Sequence, residues 1–492
     1  MRALAHATAA ALVALALAAA LALLGNALTR AGVAHQGEQA WADWRAARSP
    51  WRWTLRQPRD VVAGRAFGPG RISAAGTDAL TVAFAGGALQ LGLRLARPAS
   101  LRQAPLLALQ LTRSQALPLS IIVRRTLTAP ACVAAAGRLP ATAVTLRIDL
   151  AALHWRCADA PAMMPARAAM LRLQIAGPAG ARIALRGAAL LSTAPVALTT
   201  PLPWSAWRAA APAMDTVPVV WLPARFSSHL LAQRDALWRR DPAAVALPAG
   251  VLPHAPAAPA TMPWGWIVIA LCALPMLLAW PGPGPRHLAQ RPAWLLQALA
   301  AMLPVLLVAY GIGDSQTPDL RSGTLITLAL GYALLLTLRE DAALRPWHWL
   351  GSWRTTWLPL LPAVLASVLW LLQAQHAPQP ADFARYLPWA ALQQFLVLVV
   401  VARRLDAALG RRTAAVLAAA TLFALGHAPN TALMLLAFAA GLWWAWWFLR
   451  RGALLPVVLA HALAGTLLQA TASDSGWLRS LAIGARYLGS GG

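Results

Sequence analysis

The sequence predicts a multi-domain membrane protein: an N-terminal signal anchor, an extracytoplasmic all-β sandwich of jelly-roll-like layout, and an α-helical polytopic bundle of about eight spans. Three observations predict it. Hydrophobic residues make up 59% of the 492 and charged residues 12%, with a mean hydropathy of +0.56. That balance excludes a disordered chain and a coiled coil, and argues against a single soluble domain. The apolar residues alternate with polar ones between about 65 and 195, but form long unbroken runs after 263. Two different solvents are implied. Finally, the net charge of +26 is unevenly spread: residues 30–262 hold 26 Arg against nine acids, and residues 263–492 hold 15 Arg against seven.

The first apolar run, about Ala3–Leu28, is rich in Ala and Leu, follows Arg2, and is long enough to span a bilayer. A cleaved signal peptide has the same layout with a shorter core, so residues 1–29 are expected to be an uncleaved anchor. Trp41, Trp44, Trp51 and Trp53 then mix with Arg45, Arg48, Arg52, Arg56 and Arg59. Such a group suits the headgroup layer, or forms the first elements of the soluble domain.

Period-two segments follow at Ala79–Phe84, Leu89–Leu95, Leu106–Leu111, Thr145–Leu150 and Leu171–Ile175. Short strands parted by Gly, Pro and Ala turns indicate an antiparallel sandwich over 30–195. Cys132 and Cys157 fall inside it. They pair as a disulfide if the domain lies outside the cytoplasm, or remain two buried thiols. Cys272 sits in an apolar span and is expected to pack. Residues 196–262, rich in Pro and Ala, are expected to be a linker returning to the membrane.

From 263 to 492 eight further spans are expected, at about 264–280, 293–312, 323–338, 357–373, 387–402, 413–427, 431–449 and 453–471. Topology follows from Arg in the short loops. One set of loops holds 11: Arg286, Arg291, Arg339, Arg345, Arg354, Arg403, Arg404, Arg411, Arg412, Arg450 and Arg451. The opposite side holds four: Arg321, Arg385, Arg479 and Arg486. The expected location is therefore the cytoplasmic membrane, with 30–262 and the C-terminal tail extracytoplasmic. Trp443, Trp444, Trp446 and Trp447 precede Arg450 at the expected interface. The same arithmetic bears on partners. A charge of +26 raises nucleic acid as a ligand, but Lys is absent and every positive charge is Arg, as a GC-biased genome would spell it. No nucleic acid partner is expected. The external positive charge suits anionic lipid or glycan.

Polar residues inside spans are costly and are candidate functional groups. Gln393, Gln394, His427 and His461 stand out in the last four spans. His427 closes Phe423-Ala-Leu-Gly-His427, followed by Ala-Pro-Asn430. A span ending in Trp-Trp-Phe-Leu-Arg-Arg-Gly452 and a Leu-rich run then lead to His461. Over about 385–470 this pattern resembles the CPBP family, the CAAX-protease and bacteriocin-processing group of intramembrane endopeptidases, whose second motif is FxxxH.

The departures are specific. Where the family has EExxxR, this chain has Gln393-Gln394-Phe-Leu-Val-Leu398, and its HxxxN becomes His461-Ala-Leu-Ala-Gly465. The chain holds two Glu, Glu38 and Glu340, and neither lies in an expected span. Glu340-Asp-Ala-Ala-Leu-Arg345 repeats the first motif's spelling, but stands in a loop far from the family's spacing. In the family a Glu takes a proton from water while His side chains bind water and stabilise the oxyanion. Gln orients water but accepts no proton at neutral pH. The resemblance implies a peptide hydrolase acting on membrane-associated or exported proteins, with His427, His461, Gln393 and Gln394 catalytic. Phe423, Asn430 and Gly465 would support them, and Asp382 could approach from the external side. His427 or His461 would take over as base. A divalent metal enters by family analogy only, since two His without a third ligand make no zinc site; no cofactor is expected. Two alternatives stay open: a catalytically inactive member that binds membrane proteins, and a component of envelope glycan assembly or transport.

Overall fold

The computed structural model describes residues 2–76, 78–113, 115–158, 163–210, 216–253, 264–279, 290–310, 320–339, 343–351, 358–365, 379–471, 478 and 480–489. It divides into two compact units: residues 31–225 with 230–258, and residues 1–30, 226–229 and 259–490.

The chain opens with one long helix, α1 (Arg2–Arg45). Its first part is the expected apolar anchor, but the helix continues well past residue 29. Trp44 and Trp51, the alternative headgroup residues, are instead sealed in the β unit's core with their rings 5.9 Å apart, edge to face. Trp44 Nε1 donates to the Ala243 carbonyl at 3.1 Å, which satisfies its only polar atom. The helix gives way at Ala47, which takes a positive φ of 53°.

Two antiparallel sheets then build the β unit. The first runs β2 (Gly70–Ala75), β3 (Ala79–Phe84), β13 (Arg182–Leu191), β6 (Leu106–Arg113), β9 (Thr145–Asp149), with β1 (Arg48–Thr54) also on β13. The second runs β10 (Trp155–Cys157), β8 (Ala131–Arg138), β7 (Pro118–Arg124), β12 (Met170–Gly177), β4 (Gly87–Leu93). Renumbering the eight strands other than β1, β2 and β10 in chain order gives sheets 1-8-3-6 and 2-7-4-5. That is the paired Greek-key order of a jelly roll. The alternation is what closes it. Leu80, Val82, Leu107, Leu109, Ile183 and Leu185 of one sheet share a core with Leu89, Leu91, Leu119, Ile121, Leu171 and Leu173 of the other. Cys132 and Cys157 sit directly opposite each other on β8 and β10 and are joined as a disulfide.

The stretch expected to be a linker is largely folded. Short strands β15 (Leu202–Pro203), β17 (Val219–Leu222) and β18 (Val245–Pro248) pair in parallel, and α2 (Trp204–Ala209) and α3 (Ser227–Arg240) lie between them in sequence. The Pro and Ala content hid two short apolar runs. Val217, Val219, Val245 and Leu247 are fully buried in the same core. Residues 254–262 of the expected linker lie outside the described residues.

In the second unit, helices α4 (Trp264–Leu278), α5 (Gln290–Ala309) and α6 (Leu320–Leu338) match the first three expected spans of this half. The fourth, 357–373, is described only over 358–365, as a 3-10 turn running into a short helix. The Glu340-Asp341 pair lies outside the described residues. Next, α7 (Pro380–Gln394) continues without a break as a π-helix (Phe395–Ala402) and then α8 (Arg403–Leu409). Gly410 stops it in the left-handed region at φ 62°. After it come α9 (Arg412–Leu425), α10 (Thr431–Arg451), α11 (Leu455–Thr471) and the short α12 (Gly484–Gly489). Among the described residues four helices, including α1, are long and apolar enough to cross a membrane, and four shorter ones are apolar.

Two residues counted as loop charges are inside this bundle. Arg403 and Arg404 are 3% and 2% exposed. Arg404 donates to Gln297 Oε1 at 3.0 Å and to the Val400 and Leu336 carbonyls, and Gln297 in turn donates to the Ala279 carbonyl. A buried guanidinium needs such partners.

Candidate active site

Four elements converge on His461. It lies on α11 and is 6% exposed. Gln394, the last residue of α7 and 1% exposed, places its side-chain amide 2.9 Å from His461 Nδ1. An amide N–H₂ can only donate, so Nδ1 accepts and the ring proton stays on Nε2. Tyr386, two turns earlier on α7, holds its hydroxyl 3.4 Å from that Nε2. Phe423 of α9 and Trp444 of α10 complete the surround, with ring centroids 5.7 and 5.1 Å from the imidazole.

His427 is held in the opposite tautomer. It follows the end of α9, where the last carbonyls have no helical partner. The backbone N–H of His427 bonds to Ala424 rather than Phe423, which frees the Phe423 carbonyl to accept from His427 Nδ1 at 2.7 Å. The proton is therefore on Nδ1, and the lone pair is on Nε2. The same Phe423 ring that flanks His461 lies 4.8 Å from His427, edge to face. Thus the FxxxH spacing does two jobs: the Phe423 carbonyl fixes one imidazole and its ring packs edge to face against both.

The amide pair divides similarly. Gln394 is engaged with His461. Gln393 Oε1 is buried, and no donor reaches it among the described residues. The π-helix begins at the next residue; such segments are rare and cluster at functional sites.

The supporting residues are placed as follows. Asn430 caps α10, accepting from the Leu433 N–H, while its amide donates to the Ser480 and Ala482 carbonyls. It holds the turn after His427 and takes no part in the His461 contacts. Gly465, one turn after His461, gives room for the tyrosine: a Cβ there would clash with Tyr386 Cε1. Asp382 pairs with Arg385 on the exposed start of α7, so no carboxylate joins the His–Gln cluster among the described residues. Tyr386 was not singled out in the sequence, because an aromatic near a span end is commonplace; the Gly465 departure was its one signal.

Residues 321–467 match the family model for type II CAAX prenyl endopeptidases, Rce1-like. The membrane unit carries a CPBP-type domain. Neither the curated proteins nor the solved structures provide a match to the chain. The matched range includes all the His–Gln contacts and begins well before the motifs, at α6. A metal does not fit the CPBP-type site in this chain. His427 offers a lone pair at Nε2, but His461 carries its proton there, and among the described residues no three His, Cys, Asp or Glu side chains are grouped for a metal.

Proposed function

We propose that the chain is an intramembrane endopeptidase that hydrolyses peptide bonds of membrane-associated or exported proteins at a site in the outer half of the bilayer. The observation that carries this reading is the pair of opposed tautomers. His427 presents a lone pair at Nε2 and so serves as the base that takes a proton from water. His461 presents an N–H at Nε2 and so donates to the scissile carbonyl oxygen as charge develops there. The buried Gln393 Oε1 is an acceptor for the other water proton. Gln394 orients His461, and Tyr386 offers its hydroxyl as a second donor beside it. The proton taken by His427 passes to the leaving amine. No step needs the glutamates that the family's first motif would supply.

The topology belongs to the same proposal. The N-terminus and Arg-rich loops are cytoplasmic, and the β domain and C-terminal tail lie outside. The Cys132–Cys157 disulfide supports an oxidising compartment for the β domain. The division into anchor (1–29), β domain (30–195), connecting segment (196–262) and membrane domain (263–492) is part of it as well. A pocket of about 270 Å³ on β1, β6 and β13, lined by Arg52, Arg56, Arg186, Trp53 and Gln110, supports an anionic glycan or lipid partner there.

One observation favours a second reading, a non-catalytic binding member of the family. Both candidate glutamate positions are amides, and the Gln394 NH₂ is engaged in holding His461. Restoring the acids separates the two. If Gln393→Glu with Gln394→Glu creates cleavage that the native chain lacks, the native protein is the binding member. If native cleavage is present and depends on His427, the endopeptidase reading stands.

A further inference from the structure

A second polar cluster lies away from His461, at the Arg-rich end of the membrane unit. There α1, α9 and α10 enclose a groove of about 680 Å³. Its walls are apolar and smooth, with Ala10, Ala11 and Ala14 on one side and Val416 and Leu442 on the others. The alanines recur at helical spacing, so a single shallow face of α1 borders the whole groove.

One end of the groove is different in kind. Arg412 opens α9 and Arg450 lies in the last turn of α10, and the short turn between these antiparallel helices brings both to the same end. Arg450 lies 4.3 Å over the Trp446 ring, which stacks on Trp443 at 5.4 Å. Among the described residues Arg412 Nε and Trp443 Nε1 are buried donors with no acceptor. Leaving such donors unsatisfied is costly in a protein interior and more so beside hydrocarbon. No acid lines the groove. The missing partner is an anion, and the rest of the cavity wants hydrocarbon.

We propose that this groove holds one anionic phospholipid. Its phosphate accepts from Arg412, Arg450 and the Trp443 indole, and an acyl chain runs along the alanine face of α1. Cationic pockets between spans at the membrane surface have this recognition chemistry. A zwitterionic lipid would bring its own cation beside the two guanidinium groups, and a free anion would leave the apolar groove empty. Bound lipid would join α1 to α9 and α10.

The test uses the full chain in nanodiscs of phosphatidylglycerol and phosphatidylcholine, released for native mass spectrometry. The expected result is retention of one phosphatidylglycerol in preference to phosphatidylcholine. Retention should fall about tenfold in Arg412→Gln with Trp443→Phe, the loss of one to two charge-assisted bonds. Should that variant fail to fold, Ala11→Trp serves instead; it fills the groove without touching the cations, and should also expel the lipid. Inorganic phosphate at millimolar concentration should not displace it. Equal retention of both lipids, undiminished retention in the folded variants, or displacement by phosphate alone would overturn the proposal.

Discussion

The two units of this chain handle polar groups under opposite rules. In the β unit a charged side chain has water beside one sheet face, so most positions tolerate it and its identity carries little information. In the membrane unit there is no such outlet, and each described polar cluster in the bundle has a particular geometry: Gln394 on His461, Phe423 on His427, Gln297 on Arg404. The β unit also buries charge, at Asp43, Arg234 and Arg97. Arg97 is packed over Trp51 and Trp238 and donates to the Ala244 carbonyl. Burial, together with the charge of Arg234, pushes its guanidinium down to about 9. That burial costs the fold stability at neutral pH, as a lowered cation pKa requires, whereas the His–Gln cluster keeps Gln393 Oε1 as an open acceptor among the described residues. The lesson is that scarcity of polar groups, rather than their number, marks function here.

Five experiments would break or sharpen this contrast. The largest effect is expected from His427→Ala or His461→Ala, each reducing cleavage about 10²–10⁴-fold with the thermal transition of the β unit unchanged. Loss of both activity and folding would mean that the histidines are merely packing residues. Removing the hydrogen bond that orients His461 is smaller. Gln394→Ala should lower kcat about tenfold, since a buried bond to an imidazole contributes roughly 1–1.5 kcal/mol. Gly465→Asn should act in the same direction by displacing Tyr386, and an unaltered kcat in that variant would remove the tyrosine from the site.

The next two effects concern the β unit. Breaking the Cys132–Cys157 link, which closes a loop of 25 residues, should cost about 3 kcal/mol of β-unit stability, read from its denaturant midpoint, and leave cleavage per folded molecule unchanged. The smallest effect is one of pH. Burial raises the Asp241 carboxyl to about 6 from 3.8. The folded state therefore holds a proton that the unfolded state has lost between these values. Stability should fall as pH rises from about 4 to 6, by on the order of 1 kcal/mol, and Asp241→Asn should flatten that slope. A slope of the opposite sign would contradict the placement of Asp241.

Much of this architecture was legible in the residues themselves. Strict alternation placed β3 at its observed bounds, and β6, β9 and β12 within a residue or two, because a half-buried strand leaves a period of two wherever one face is water. His427 and His461 were legible because a polar group in an apolar run carries a desolvation cost that only a specific partner or task offsets, and Phe423 by its spacing from His427. Three things were not. The folded segment around Val219 and Val245 was masked by Pro and Ala, whose averages describe a linker while the short valine runs between them pack. The depth of Arg403 and Arg404 is invisible to loop counting, which treats every Arg near a span end as solvated, and Gln297, the distant partner of Arg404, has no local signature. The tautomer of His461 depends on the Gln394 amide, brought to it only by the fold, and that of His427 on how the end of α9 frees the Phe423 carbonyl.

The central claim is that this His–Gln cluster hydrolyses peptide bonds. The most direct test is to compare the N- and C-termini of membrane and exported proteins in cells lacking the chain and in cells restored with native protein, His427→Ala or His461→Ala. A discrete set of cleavage termini that only the native protein restores is the expected result. The same termini in all three restored strains, or in none of them, would contradict it.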